Sequence, residues 1–197
     1  MPAKRNAATQ GRDSARTRSA LLDAARWLLS RHGYDQLGTR EIGARAGVDA
    51  ALVQRYFGSK KALFEEVVEG AFDVRPILAA VPRESLALRL AQILFERKEH
   101  SERFNPALLI LRSATSAEVR VPLSRALEVD FIEPLARDLG GEAGRPRAIA
   151  VLGVLAGIYM IDHVLGVELL NEPQGRGLLE ALIRTCLEVA PETRPGP

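Results

Sequence analysis

Gly47 stands between two short helical patterns, and the stretch around it, Thr39–Leu63 (TREIGARAGVDAALVQRYFGSKKAL), leaves the chain few ways to fold. Ile42 and Ala46 lie four apart on one face of a first helix, Thr39–Ala46. Gly38 precedes it as a small cap, and Glu41 places an acid near its positive end. Gly47 suits the left-handed residue that ends a helix. Asp49 then serves as N-cap for a second helix, about Ala50–Phe57, whose inward stripe is Leu52, Val53 and Tyr56. Gly43 lets the two helices cross closely. This is the pattern of a helix-turn-helix, which offers its second helix to a DNA major groove. The spacing alone also fits helical proteins that never touch DNA.

Charge is what separates those readings. The chain of 197 residues has a net charge of +2, but residues 1–65 hold 12 Lys and Arg against 6 Asp and Glu, and the rest hold 15 against 19. A basic head on a mildly acidic body is what a polyanion-binding protein requires. Ser59 caps a further helix with Lys60 and Lys61 in its first turn. Cations there oppose the helix dipole, which makes sense if they and the free N–H groups face a phosphate. Lys60→Ala is then expected to weaken DNA binding alike across sequences and flatten its salt slope by about one.

Three pieces of this region resemble the N-terminal domain of the TetR family of bacterial transcriptional regulators: ALLDAARWLLSRHGY (Ala20–Tyr34), TREIGARAGV (Thr39–Val48) and LVQRYFGSKKALF (Leu52–Phe64). The last is the most specific, with its aromatic pair, short turn and lysine. One departure is Gln54, where many members carry a tyrosine that packs on a phosphate; Gln54 can still hydrogen-bond a phosphate or base edge. Residue types and resemblance together nominate Arg40, Gln54 and Arg55 for base edges. Thr39, Tyr56 and Lys60 are nominated for phosphates, with Lys61 in a lesser place. Ala50 and Ala51 permit close approach to the groove and could touch a thymine methyl.

The remainder reads as helices throughout, with low aromatic content (5%) and abundant Ala and Leu. The expected division is a disordered basic arm over 1–15, a helix-turn-helix domain over 16–65, a helical ligand-binding and dimerisation domain over 66–190, and a tail over 191–197. The first helix starts at Ser14 or Thr17 and ends at Gly33. Residues 75–82, with two prolines, read as a break. Asn105 and Pro106 cap a helix to about Thr115. Pro122 and Pro134 interrupt the stretch Ala117–Leu139. A final helix covers Gly177–Ala190. The run Ile149–Ile161, 13 apolar residues, is shorter than the roughly 18 a membrane span needs and reads as a buried core helix.

The helix from Arg147 is apolar on too many sides for one neighbour to cover, and Gly153, Ala156 and Gly157 allow close helix approach. Both features suggest a homodimer. The family resemblance adds that the last two helices form a four-helix bundle with their symmetry mates. Two recognition helices would then sit about 34–36 Å apart on a palindromic operator.

The resemblance further implies a repressor released from DNA by a small-molecule effector held in the C-terminal domain. Phe95, Phe104, Leu108, Leu111, Arg112, Tyr159 and His163 are candidates to line that pocket, although Arg112 and the Asp162–His163 pair, as charges within apolar runs, first call for structural partners. His32, His100 and His163 are isolated, without metal-ligand spacing, and no phosphate-binding glycine loop or nucleophile motif occurs. Neither catalytic residues nor a cofactor or metal is expected. The alternative reading is an all-α enzyme with a tunnel or a small-molecule-binding helical protein without specific DNA binding; a helical adaptor would not need the basic head. Cys186 is the single cysteine, which fits a reducing cytoplasm. Residues 1–18 lack the apolar core of a signal peptide.

Overall fold

The computed structural model describes residues 3–98, 104–168 and 172–188, with the backbone alone at 3–12, 95–98 and 173. Every regular element among them is helical. In chain order these are α1 (Ala3–His32), α2 (Thr39–Ala46), α3 (Ala51–Phe57), α4 (Lys60–Val68), α5 (Arg75–Ala80) and α6 (Leu86–Lys98). There follow α7 (Pro106–Ser113), α8 (Arg120–Leu127), α9 (Glu133–Leu139), α10 (Gly144–Tyr159) and α11 (Pro173–Glu188). Two compact units result. The first takes the chain up to Glu69 and returns for the segment ending at Leu123; the second holds the rest.

In the first unit, α1 buries Leu21, Ala24, Ala25, Leu28 and Leu29 along one face, the stripe its 3.6-residue spacing dictates. It stops where Gly33 turns left-handed (φ 75°) and returns its N–H to the Leu29 carbonyl at 2.9 Å. Its beginning differs from expectation: the backbone is already helical at Ala3, over the stretch read as an irregular arm. Alanine, lysine, arginine and glutamine there are good helix formers, and no proline lies beyond position 2.

The expected domain edge at residue 65 also misses a component of this unit. Helix α7 begins on the Asn105 cap, whose Oδ1 accepts the Leu108 N–H at 3.2 Å, and it packs against α1. Leu109 is fully buried. Arg112 Nη1 donates to the Ser30 carbonyl at 2.9 Å and to the Arg31 carbonyl, capping the negative end of α1. Gly33 lies so close to the Arg112 carbonyl that a β-carbon would collide with it. Beyond α7, Ser116 Oγ donates to Asp35 at 2.7 Å, and the Tyr34 hydroxyl donates to Glu118 at 2.5 Å.

In the second unit α6, α9, α10 and α11 close over Leu86, Leu90, Leu94, Leu135, Ala148, Val151, Leu179 and Ile183. Arg147 joins three helix ends, donating to the carbonyls of Leu139 (3.0 Å), Gly140 (3.2 Å) and Leu187 (2.9 Å). Residues 75–80, read as a break, form α5. Pro76 falls in the first turn, where no backbone donor is needed, and Asp73 Oδ1 accepts the Arg75 N–H at 3.0 Å. Pro134 likewise falls in the first turn of α9, and the stretch interrupted by prolines is two pieces, α8 and α9, joined by a π turn at Glu128–Ile132.

Helix α10 is not the buried core helix expected of it. It buries Gly144, Ala148, Val151 and Tyr159, while Ile149 is 45% exposed and Met160, in the π turn that follows, 41%. Leu178 and Leu182 on α11 are exposed as well.

Candidate nucleic-acid interface

Gly43 sets the geometry of the head. A β-carbon there would stand 2.9 Å from both the Ala50 nitrogen and the Val48 oxygen, so only glycine lets α2 meet the turn this closely. Gly47 caps α2 in the left-handed region (φ 70°), and the Val48 N–H returns to the Gly43 carbonyl at 2.9 Å. Glu41 closes the other end of α2, its Oε2 accepting the Gly38 N–H at 3.0 Å. Asp49 caps α3 one residue earlier than expected: its Oδ1 accepts the Ala51 N–H at 2.7 Å, and regular helix begins at Ala51. The inward anchors of α3 are Val53 and Phe57, with Leu52 and Tyr56 half-buried. The period is as read, but its centre is shifted toward Phe57, which packs under the Arg18 guanidinium at 4.7 Å.

With the inner face committed, the outer face carries the nominated residues. Arg40, Ala51, Gln54, Arg55 and Lys61 are exposed, and Thr39, Ala50 and Tyr56 are half-buried beside them. Ser59 caps α4 by accepting the Ala62 N–H at 2.9 Å. Lys60 is placed differently from its neighbour. Its ammonium donates to the carbonyls of Tyr34 (3.0 Å) and Leu37 (2.9 Å) and lies 3.8 Å from the Tyr34 ring centre. Two of its three N–H groups are thus engaged within the head.

Sequence reasoning did not find this bracing of the connection between α1 and α2. Tyr34 is 1% exposed, meets Phe64 edge-on at 5.3 Å and receives Lys60 above, while its hydroxyl reaches Glu118. Burial, then the hydrogen bond to Glu118, pushes its phenol well above the ordinary range, so it stays a neutral donor. The aromatic at 34 and the lysine at 60 were visible in the sequence; their 26-residue separation hid the contact.

The effector candidates are divided between the two units. Phe104, Leu108, Leu111 and Arg112 belong to the first, and Arg112 is an exposed helix cap, not a buried charge. Tyr159 and His163 belong to the second, where their rings stack at 4.0 Å and 11°. The carboxylate of Asp162, itself shut off from solvent, lies 3.2 Å from His163 Nδ1. The side chain of Phe95 lies outside the described residues. Neither unit gathers the nominated set into one lining.

Two short helices crossing at a glycine, the second presenting a polar and basic face, define a helix-turn-helix DNA-binding protein. Comparison with known proteins carries this further. Residues 21–67 match the family described as bacterial regulatory proteins, tetR family, and residues 84–191 match the tetracyclin repressor-like C-terminal domain. The chain is 27% identical over 190 residues to the HTH-type transcriptional regulator BetI of Agrobacterium fabrum, covering 90% of this chain and 89% of that one. It is 30% identical over 144 residues to the HTH-type transcriptional activator FasR of Mycolicibacterium smegmatis, covering 68% and 65%. Among solved structures, a TetR-family regulator from Mesorhizobium loti superposes with a TM-score of 0.55 at 19% identity, covering 89% of this chain and 95% of that one. Another from Streptomyces coelicolor gives 0.57 at 18%, covering 86% and 78%; both show the fold. The chain belongs to the TetR family and is a DNA-binding transcriptional regulator, not an enzyme. Regulators of this family bind DNA operators and effector ligands, generally as dimers.

Proposed function

We propose that the protein is a cytoplasmic homodimeric repressor that grips a palindromic operator and lets go when a small molecule binds its C-terminal unit. The observation that carries this is the exposed polar face of α3, held at a fixed angle by the Gly43 crossing. Gln54, Arg55 and Arg40 read or approach base edges, and Ala50 and Ala51 allow the backbone close to the groove. Thr39, Tyr56, Lys61 and the third N–H of Lys60 meet phosphates.

Dimerisation through α10 and α11 is supported by what one chain leaves uncovered. Ile149, Met160, Ile161, Val164, Leu178 and Leu182 are all exposed, and a β-carbon at Gly153 or Gly157 would meet nothing within 4 Å. Small residues in open space on an apolar face are what a closely approaching second helix needs. The same face explains how the 21-residue stretch Gly144–Val164 is apolar enough to cross a membrane in a family of DNA-binding regulators. For the effector, the stacked Tyr159–His163 pair beside Asp162, at a π turn, is the polar cluster around which a pocket in the second unit would form.

The test is binding of the purified protein to DNA upstream of its own coding region against scrambled DNA at fixed salt. Sequence-selective retention of a dimer, lost in Arg55→Ala with folding unchanged, supports the reading. Equal and salt-labile retention of both DNAs overturns it. Repression, as against activation, is read from transcription of the bound promoter with and without the protein.

A further inference from the structure

Arg18 stands where three helices of the first unit meet. Its Nη2 donates to both carboxylate oxygens of Glu66 on α4, at 2.6 Å each. The same guanidinium lies 4.7 Å from the ring centre of Phe57, the last residue of α3. One side chain of α1 thus reaches α3 and α4 together. None of the residues nominated for DNA contact takes part in this junction.

The junction matters because α3 is short. Its seven residues, at about 1.5 Å each, make a rod about 10 Å long, or about two turns. So short a rod takes its direction from whatever holds its two ends. The first end is set by the Gly43 crossing against the backbone of Val48 and Ala50, and by the Asp49 bond to the Ala51 N–H. At the far end the chain turns at once through Gly58 (φ 78°), so no continuing helix steadies it. Phe57 holds that end, 7% exposed, and Arg18 ties its ring to α1 and, through Glu66, to α4. Gln54 and Arg55 lie between the two fixings. A planar guanidinium can cover a ring with its face while its edge donates to a carboxylate; the compact ammonium of lysine has no such plane.

We propose that Arg18 is a positioning residue for sequence reading: it fixes the direction of α3 and so sets the preference for the operator over other DNA, without touching base or phosphate. Hydrogen bonds from Gln54 and Arg55 to base edges depend on that direction. An exposed cation such as Lys61 can follow a phosphate whatever the tilt of α3. Loss of the junction therefore removes selectivity and spares general affinity. This inference rests on the reading that α3 enters the groove.

Two variants and two measurements test it. Arg18→Lys keeps the charge. It should lower the ratio of operator to scrambled-DNA affinity about fivefold or more, with scrambled-DNA affinity and its salt slope unchanged. Glu66→Gln should lower the same ratio, although it makes the head more positive. Amide exchange reports on α3 without DNA. The Gly58 N–H, bonded to the Gln54 carbonyl at 2.9 Å, should exchange about tenfold faster or more in either variant. The Val48 N–H, bonded to the Gly43 carbonyl at the other end, should keep the parent rate. Equal acceleration of both amides shows a general loss of stability and overturns the positioning role, as does no change in either. Glu66→Gln tightening operator and scrambled DNA alike, with a steeper salt slope, makes Arg18 a phosphate contact and overturns it too. A parent that selects no sequence brings down the reading of α3 and this inference with it; a parent that selects its operator no better than Arg18→Lys does brings down this inference alone.

Discussion

Lys60 and Lys61 are adjacent and equally charged, yet Lys60 is half-buried and bonded within the head while Lys61 is exposed. Replacing Lys60 by methionine keeps the aliphatic stem and removes the ammonium that bonds the Tyr34 and Leu37 carbonyls at 3.0 and 2.9 Å. A hydrogen bond from a charged donor contributes about 1.5–3 kcal/mol, and the contact with the Tyr34 ring adds about 0.5–1 kcal/mol. Against this stands up to about 2 kcal/mol of lysine side-chain entropy, which methionine does not fully recover. The position is half-buried, so solvent weakens each contact further, and a net loss of about 1–3 kcal/mol is expected for Lys60→Met. At a urea slope of about 2 kcal/mol/M that lowers the unfolding midpoint by about 0.5–1.5 M. Lys61→Ala removes an exposed side chain and should leave the midpoint within about 0.5 kcal/mol of the parent. It should instead weaken DNA binding and reduce the slope of log affinity against log salt by about 0.9. Urea unfolding and DNA titrations across a salt series, run on both variants, decide the matter. If Lys60→Met unfolds with the parent while flattening the salt slope by a full phosphate contact, its ammonium acts on DNA and the bracing argument is refuted.

Three more outcomes follow from particular contacts. Gly43→Ala gains about 1 kcal/mol of helix propensity, but its β-carbon meets backbone atoms at 2.9 Å. Overpacking of that kind costs about 1–3 kcal/mol, so thermal unfolding should show a net loss and operator affinity should fall with it. The raised phenol of Tyr34 makes the native state hold a proton that the unfolded chain releases near 10.0. Its stabilisation is therefore complete below that pH and is lost as pH rises above it, so the parent should lose stability faster than Tyr34→Phe in alkaline urea titrations. Leu182→Glu, in the exposed face of α11, should convert a dimer into a monomer in sedimentation, with the helical spectrum retained.

The head was legible where its determinants are local. Gly33, Gly47, Ser59 and Asn105 end or begin helices through bonds to residues within four positions, and each does so in the structure. Asp49 was off by one residue because a side chain two positions ahead of the first helical N–H satisfies it as well as a true N-cap would. A proline misled the reading at 76, where it falls in a first turn and the missing donor is no loss, which spacing alone could not tell from a break; Pro134 does mark the start of a second helical piece. Contacts over long separations were beyond reach, among them Arg112 on the end of α1 and Glu118 on Tyr34. So was the difference between Lys60 and Lys61, which are alike until the carbonyls near one of them are placed.

The return of the chain to its first unit has a consequence for anyone wishing to detach the DNA reader. A fragment ending at Glu69 would lack α7 and the residues after it. The last carbonyls of α1 would lose the Arg112 cap, the Tyr34 backbone N–H its Ser113 acceptor and its hydroxyl the Glu118 carboxylate. The apolar face over Leu109 would open to water. The reader is therefore a discontinuous module. Grafting its specificity onto a relative requires transplanting both segments, and a chimaera joined at the foot of α4 should inherit the contacts but not the stability to hold them.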